Sequence, residues 1–370
     1  MNNNHKIRQD MITNDDSKIN ELVSILNEHF KSKINLARVK FISMFIMALC
    51  KVQTVTFHKL ASAIDSPCMV ESSLRRIQRF IADFSLDSDL IAKLIFALIP
   101  INGKVQLAID RTNWKFGESD INILMLGVVY KGVAFPLLFS LLPKRGNSNT
   151  TERIALINRY IRLFSIETIE CIVADREFVG QDWLAFLNNS NIKYYIRVRN
   201  NFKVFVLSKN KEVKASWLFN TCKINEFRYY SNIVRINGEL CYLSGSKLNG
   251  DDYLIIVSYN KPENAQEFYR QRWQIEMCFK SMKSSGFDIE KTHLTDLDRI
   301  RKLTLLIMIA FVWCYRVGIY LHENVKQIII KKHGRKAESI FKYGLKHVAS
   351  CLLNPIYRDT SLIFHFLSCT

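Results

Sequence analysis

Apolar positions recur at helical spacing through the first hundred residues. The 18–30 segment, the run from Phe41 to Cys50, the stretch Phe57 to Ile64 and the stretch Met69 to Ile81 are each predicted as helices. The last two predict a helix-turn-helix over 56–82, with Thr56 capping its first helix and Ser66 followed by Pro67 opening the second. On that second helix Leu74, Ile77, Ile81 and Phe84 share one side, while Arg75, Arg76 and Arg79 share another. One face packs and the other is suited to phosphate.

From Lys104 the period shortens. Val105–Ile109 is predicted as a strand, and Ile121–Tyr130 and Val133–Leu142 as a hairpin about Lys131-Gly132. A helix from Thr151 to Phe164, a buried strand at Glu170–Ala174, a helix over Gln181–Asn189 and a strand at Lys193–Val198 follow. That order predicts an α/β fold, a mixed sheet with helices on its faces. Residues 200–261 alternate in polarity and are predicted as a β-rich insertion, and 263–370 are predicted as helical and basic. The apolar run Leu303–Leu321 approaches membrane-span length, but Arg316 interrupts it and Arg301 and Lys302 precede it, so a buried helix is expected.

The chain has 370 residues with 52 Lys+Arg against 34 Asp+Glu, a formal charge of +18. This excess is spread from Lys31 to Lys346, as expected of a protein that meets an extended polyanion. None of the nine cysteines forms a C-x-x-C pair, and reduced core thiols are expected. The polar start Met1-Asn-Asn-Asn-His-Lys carries no apolar export signal, so a cytoplasmic protein is expected.

Three carboxylates stand out from this frame. Asp110 closes Val105–Ile109, Asp175 closes Cys171–Ala174, and Glu276 lies within Tyr269–Glu276. Two strand-end aspartates and a helical glutamate supply the hard oxygen donors that a two-metal phosphoryl-transfer site needs. On one continuous helix Tyr269, Arg272, Glu276 and Lys283 would point within about a 60° arc, with Phe268, Ile275, Cys278, Phe279 and Met282 on the adjoining packing arc. Taken singly, Asp110 could be a strand-end cap, Asp175 a helix-entry residue and Glu276 a partner of Lys280. Glu177, two residues after Asp175, competes for the same role.

The spacing Tyr269-x2-Arg272-x3-Glu276-x6-Lys283 resembles the YREK signature of bacterial insertion-sequence DDE transposases. Asp110-Arg-Thr112-Asn-Trp114 and Asp175-Arg176-Glu177-Phe178 resemble the boxes around the family's first two acids. The resemblance spans about residues 70 to 310 and continues through Gly286 to Leu294. It implies a ribonuclease H-like core over 101–199 and 262–300, interrupted by the 200–261 insertion. A helical DNA-binding region over 1–100 and a basic helical region over 301–370 would flank it.

By the same resemblance, Asp110 and Asp175 lie on neighbouring strands, and Glu276 joins them to hold Mg²⁺ or Mn²⁺, two ions in all. Tyr269, Arg272 and Lys283 hold phosphates near the transposon end. The implied activity is metal-dependent cleavage at transposon ends and strand transfer, cut-and-paste, on double-stranded DNA carrying terminal inverted repeats and on target DNA. A homodimer does this work, with no membrane partner. Trp217 is the candidate for stacking a flipped base in a hairpin intermediate, with Tyr229 and Tyr230 next. His293 either tunes the site or makes a structural hydrogen bond. The 303–321 helix and the basic 326–346 segment are candidates for dimerisation and end binding. The competing functions are an inactive or regulatory DNA-binding derivative and a ribonuclease H-like nuclease.

Overall fold

The computed structural model describes residues 17–116, 118–332, 334–354 and 360–368. The polar start, residues 1–6, lies outside them. The chain divides into two compact units. One comprises Met1–Pro100, Phe116–Ser119 and Phe279–Thr370; the other comprises Ile101–Lys115 and Asp120–Cys278.

The first unit is helical and begins with α1 (17–30), whose Ile19, Leu22, Leu26 and Phe30 form one buried face at helical spacing. Asn35 caps α2 (Leu36–Val52) by accepting the Arg38 N–H. Every residue from Phe41 to Cys50 is buried. Two shorter helices follow, α3 (Phe57–Ala63) and α4 (Val70–Asp83), and then α5 (Ser88–Leu98).

Both expected caps differ. The Thr56 hydroxyl meets Thr54 Oγ1 at 3.2 Å instead of capping α3. Ser66 Oγ accepts the Cys68 N–H at 3.3 Å, which holds 66–68 as a turn and delays α4 to Val70 instead of Pro67. On α4, Ile77 and Ile81 of the expected packing face are buried, Leu74 and Phe84 are half-buried, Phe80 is buried beside them, and Arg75, Arg76 and Arg79 are exposed.

The second unit is built on an eleven-stranded mixed sheet. Its strands and helices in chain order are β1 (Val105–Phe116), β2 (Ser119–Tyr130), β3 (Val133–Leu142), α6 (Thr150–Phe164), β4 (Ile169–Ala174), α7 (Gln181–Asn189) and β5 (Tyr194–Val198). Then come β6 (Lys203–Val206), β7 (Lys211–Lys214), β8 (Phe227–Tyr229), β9 (Val234–Ile236), β10 (Glu239–Lys247), β11 (Tyr253–Ser258), α8 (Ala265–Arg270) and α9 (Trp273–Met282).

The sheet order is β3-β2-β1-β4-β5-β11-β10-β9-β6-β7, with β8 on β10. The β2–β3 turn places Lys131 at φ 44° and Gly132 at φ 91°, the double positive φ that a two-residue hairpin with right-handed twist favours. Strands β1, β4 and β5 run parallel, and β11 pairs antiparallel with β5. The strands of 200–261 therefore extend the same sheet. Helices flank it: α6 packs on β3, and α8 on β4, β5 and β11.

The helical unit resumes with α10 (Leu297–Tyr320), α11 (Ile340–Leu353) and α12 (Thr360–His365). Helix α10 packs on α2, α4, α5 and α11. Its crossing with α11 has no room for a side chain: a Cβ on Gly344 would fall 1.9 Å from Cys314 O, and one on Gly318 2.1 Å from Ile340 O. Lys302, only 2% exposed, ends α4 by donating to Ile81 O and Ala82 O, each at 2.9 Å.

By length and composition Leu297–Val325 could cross a membrane, yet 89% of its apolar window is buried within the protein, as the flanking charges imply. That burial also removes 303–321 as a dimer surface, because its apolar side chains are already covered. The described residues 326–332 and 334–339 are not helical as expected: Gly334 turns the chain at φ 76°, and Ile330 bridges to Lys336.

Candidate active site

The register of β1 on β4 sets two aspartates at adjacent backbone positions. The last paired residues are Ile109 and Ala174; Asp110 is the next residue on β1, and Asp175 is the first residue after β4 ends. Neighbouring strands lie roughly 4.8 Å apart, and equivalent positions on parallel strands point to the same face. Asp110 is not at a strand end, as its sequence position implied. Strand β1 continues to Phe116, and what stops at Asp110 is the pairing with β4.

Helix α8 is fixed to this sheet from two sides. Phe268 stacks on Tyr195 with ring centroids 5.2 Å apart, and Gln106 Nε2 on β1 donates to Phe268 O at 2.9 Å. The expected continuous helix from Tyr269 to Lys283 is broken at Gln271–Arg272. There Gln271, Arg272, Gln274 and Ile275 each donate to the residue three before, at 3.0–3.2 Å, tightening the turn.

Arg272 sits at the break and reaches both ways. Its Nη2 is 2.8 Å from Glu276 Oε1, and its Nη1 is 3.5 Å from Asp110 Oδ2. Its guanidinium also lies over the rings of Tyr269 and Trp273, at 5.9 and 5.7 Å. Buried Nη1 has no hydrogen-bond partner, so this fork has a free donor.

Burial pushes the Asp110 carboxyl up to about 7. The Arg111 N–H, 2.7 Å from Asp110 Oδ1, and the Arg272 charge work against that rise, and Glu177 and Glu276 add to it. Tyr269 is raised to about 12, chiefly by burial, with Asp175 adding and Arg272 opposing. Asp175 acts on both Tyr269 and Arg272, which places all three acids within electrostatic reach of one guanidinium.

The model of the transposase DDE domain matches residues 101–313, more than half of the chain. The chain belongs to the transposase DDE domain family. It is thereby a transposase, of a DNA-cleaving enzyme class. No curated protein matches it.

Among the described residues of this DDE domain, no three metal-ligating side chains are closed around one point. The acids converge instead on Arg272, a cation held where carboxylates would otherwise repel each other. The donor set fits a hard divalent ion: three carboxylates, one of them, Asp110, pushed up to about 7 by burial.

The remaining candidates are placed as follows. Glu177 is engaged by Arg111, with Nε at 3.4 Å and Nη2 at 3.3 Å. Lys283 belongs to the helical unit and pairs with Glu290 at 2.8 Å. His293 sets its ring edge-on to Phe116, at 5.1 Å. Trp217 lies on a short turn, 55% exposed, with Lys214 Nζ 6.0 Å from its ring; Tyr229 is similarly exposed.

Three residues that the sequence does not single out hold the site together: Gln106 through Phe268 O, Arg111 through Asp110 and Glu177, and Trp273 beside Arg272. Trp273 is 57% exposed beside Arg272. Its signal was an aromatic off the apolar arc set by Phe268, Ile275 and Phe279.

Proposed function

We propose that the chain is a YREK-type, cut-and-paste DNA transposase whose sheet is ribonuclease H-like and whose acids Asp110, Asp175 and Glu276 hold two Mg²⁺ or Mn²⁺ ions. The observation that supports the reading is the β1–β4 register, in which Asp110 and Asp175 directly follow a paired couple, with Arg272 joining Asp110 to Glu276. When bound, such ions supply an activated water and neutralise charge at the phosphorus under attack.

The protein's own groups then have defined tasks. Asp110, Asp175 and Glu276 would hold the cation, Asp110 in its ionised form. Arg272, freed at Nη1, binds a phosphate oxygen while Nη2 keeps Glu276 oriented. Tyr269, held neutral by burial, donates its hydroxyl to phosphate and is not a nucleophile. Lys283 adds a second phosphate contact once it leaves Glu290. The freed 3′-hydroxyl then attacks a phosphodiester of the target strand, forming a new P–O bond as the target's own 3′-oxygen leaves, with cleavage and joining sharing one set of acids.

Around this core, Arg75, Arg76 and Arg79 on α4 and the basic 326–346 segment bind the transposon-end duplex, and the working form is a homodimer. Trp217 stacks a base flipped from the end. The four-part division at residues 100, 199, 261 and 300 is retained as a functional division, with 200–261 serving the hairpin step.

The test is a nicking and strand-transfer assay on DNA carrying the element's own ends. Nicking and joining in Mg²⁺ or Mn²⁺, absent with chelator and absent in Asp175→Asn, is the expected result. Nicking without joining would make the chain a nuclease, and binding without either would make it a regulatory derivative.

A further inference from the structure

The helical unit contains a cavity of about 470 Å³ that includes none of the three acids. It is built from the turn before α3, one face of α4, the 291–294 loop and the first turn of α10. Its size lies within the roughly 300–1,000 Å³ of small-ligand sites. Val55, Phe57 and Leu294 give it an apolar side.

Arg79 and Arg299 also line it. Both are exposed, and among the described residues neither guanidinium has a hydrogen-bond or ion-pair partner. Lys291 lines the same cavity but is neutralised by Asp288 at 2.8 Å. Gln78 brings an amide able to donate and accept, His293 an imidazole, and Asp83 a carboxylate.

An apolar side, a donor–acceptor amide and two unpaired guanidiniums match the chemistry of a nucleotide: a flat base and a phosphate. A duplex is far too wide for the space, so only a nucleotide out of the stack can enter it. The charge leading to the cavity favours a strand over a free nucleotide. Arg75 and Arg76 precede Arg79 by four and three residues on α4, so they lie on its side of the helix at steps of about 5–6 Å.

We propose that this cavity receives one unpaired nucleotide of a DNA strand, its phosphate held by Arg79 and Arg299 and its base against Val55, Phe57 and Leu294. The site draws on both ends of the chain, since Arg79 and Arg299 are 220 residues apart in sequence. It rests on the chain being a DNA-handling protein and not on the carboxylates being active.

The experiment is fluorescence anisotropy with the full chain, no divalent ion and two probes: a blunt duplex, and the same duplex with a short unpaired overhang. The wild type is expected to prefer the overhang. Arg79→Ala with Arg299→Ala should abolish that preference and flatten the log K against log salt slope on the overhang by about 1.4, two contacts at roughly 0.7 each. Ala82→Phe, which fills the cavity while leaving both arginines in place, should also abolish the preference. Lys93→Ala, an exposed lysine on α5, should affect both probes alike.

Equal binding of the two probes by the wild type would overturn the proposal, as would equal losses on both probes in the arginine variant. Wild-type overhang preference in correctly folded Ala82→Phe would reduce the site to a phosphate contact and overturn the nucleotide. Deoxythymidine monophosphate competing as well as an unlabelled overhang strand would overturn the strand. Melting curves on each variant establish folding, and the nicking assay is not involved, so an inactive carboxylate site leaves this result readable.

Discussion

Arg272 Nη1 stands 3.5 Å from Asp110 Oδ2 without a hydrogen bond to any group, although it is buried. The contact is close enough to lower the Asp110 carboxyl and too long to satisfy the donor. Arg272 thus acts as a resident counter-charge for an acid that burial has driven to about 7. On the proposed function this ion pair separates when a divalent ion reaches Asp110 and a phosphate reaches Arg272.

The first prediction concerns pH and stability. The Asp110 carboxyl rises from 3.8 to about 7 on folding, so the folded chain binds the proton more tightly than the unfolded chain. That contribution is complete below about 3.9, the unfolded value, and is lost as pH rises through about 7, with an upper bound of about 4 kcal/mol. Asp110→Asn should therefore lose less stability than the wild type between pH 5 and about 8, the upper end of the titration. Urea melts in chelator across that range measure it; parallel curves would mean that Asp110 titrates normally.

A divalent ion should reverse this sign. Mg²⁺ or Mn²⁺ binding to the ionised acids stabilises the folded chain by mass action, so added ion should raise Tm in the wild type. The rise should be lost in Asp110→Asn, Asp175→Asn and Glu276→Gln, and each substitution should abolish cleavage while leaving DNA binding largely intact. Ca²⁺ should raise Tm without supporting turnover, because its looser coordination positions the nucleophile poorly. Retained cleavage in any one variant removes that residue from the site.

Much of this site was legible because each acid ends or interrupts a recognisable pattern. The apolar runs Leu107–Ile109 and Ile172–Ala174 mark buried parallel strands, and the register of β1 on β4 makes their next residues neighbours. The continuation of β1 to Phe116 was not legible. Arg111, Thr112 and Asn113 are polar, and their strand character comes from pairing with β2, the next strand along the chain, and not from any alternation of their own. The break at Gln271–Arg272 was hidden for the opposite reason: with no Gly or Pro nearby, local pattern continues the helix. What breaks it is tertiary, with Phe268 pinned to Tyr195 and Gln106, and Arg272 drawn to Asp110 and Glu276.

The pairing of Lys283 with Glu290 makes the third prediction sharper than a simple deletion. If Lys283 serves a phosphate, Glu290 competes with DNA for it. Lys283→Ala should weaken DNA binding and lower the salt slope by about one contact, whereas Glu290→Gln should strengthen binding at low salt. Salt titrations of both variants decide it. Unchanged affinity in both would leave the Lys283–Glu290 pair as a structural link.

The last prediction separates two exposed tryptophans. Trp217 lies on a turn of the β-rich segment, and Trp273 flanks Arg272 at the carboxylates. Extruding a base costs a few kcal/mol, and stacking it on an aromatic ring returns roughly 1–3 kcal/mol. A stacking residue must present its ring to solvent before DNA arrives, and both do so. Because neither side chain is core, Trp217→Ala and Trp273→Ala should each leave Tm nearly unchanged, so a lost activity can be read as a lost contact. Trp217→Ala should leave first-strand nicking near normal and deplete the hairpin intermediate on an end-labelled transposon end. Trp273→Ala should weaken binding and nicking together, because its ring supports the Arg272 guanidinium. Should the hairpin instead disappear in Trp273→Ala while nicking persists, the flipped base stacks beside the carboxylates and Trp217 has no part in it.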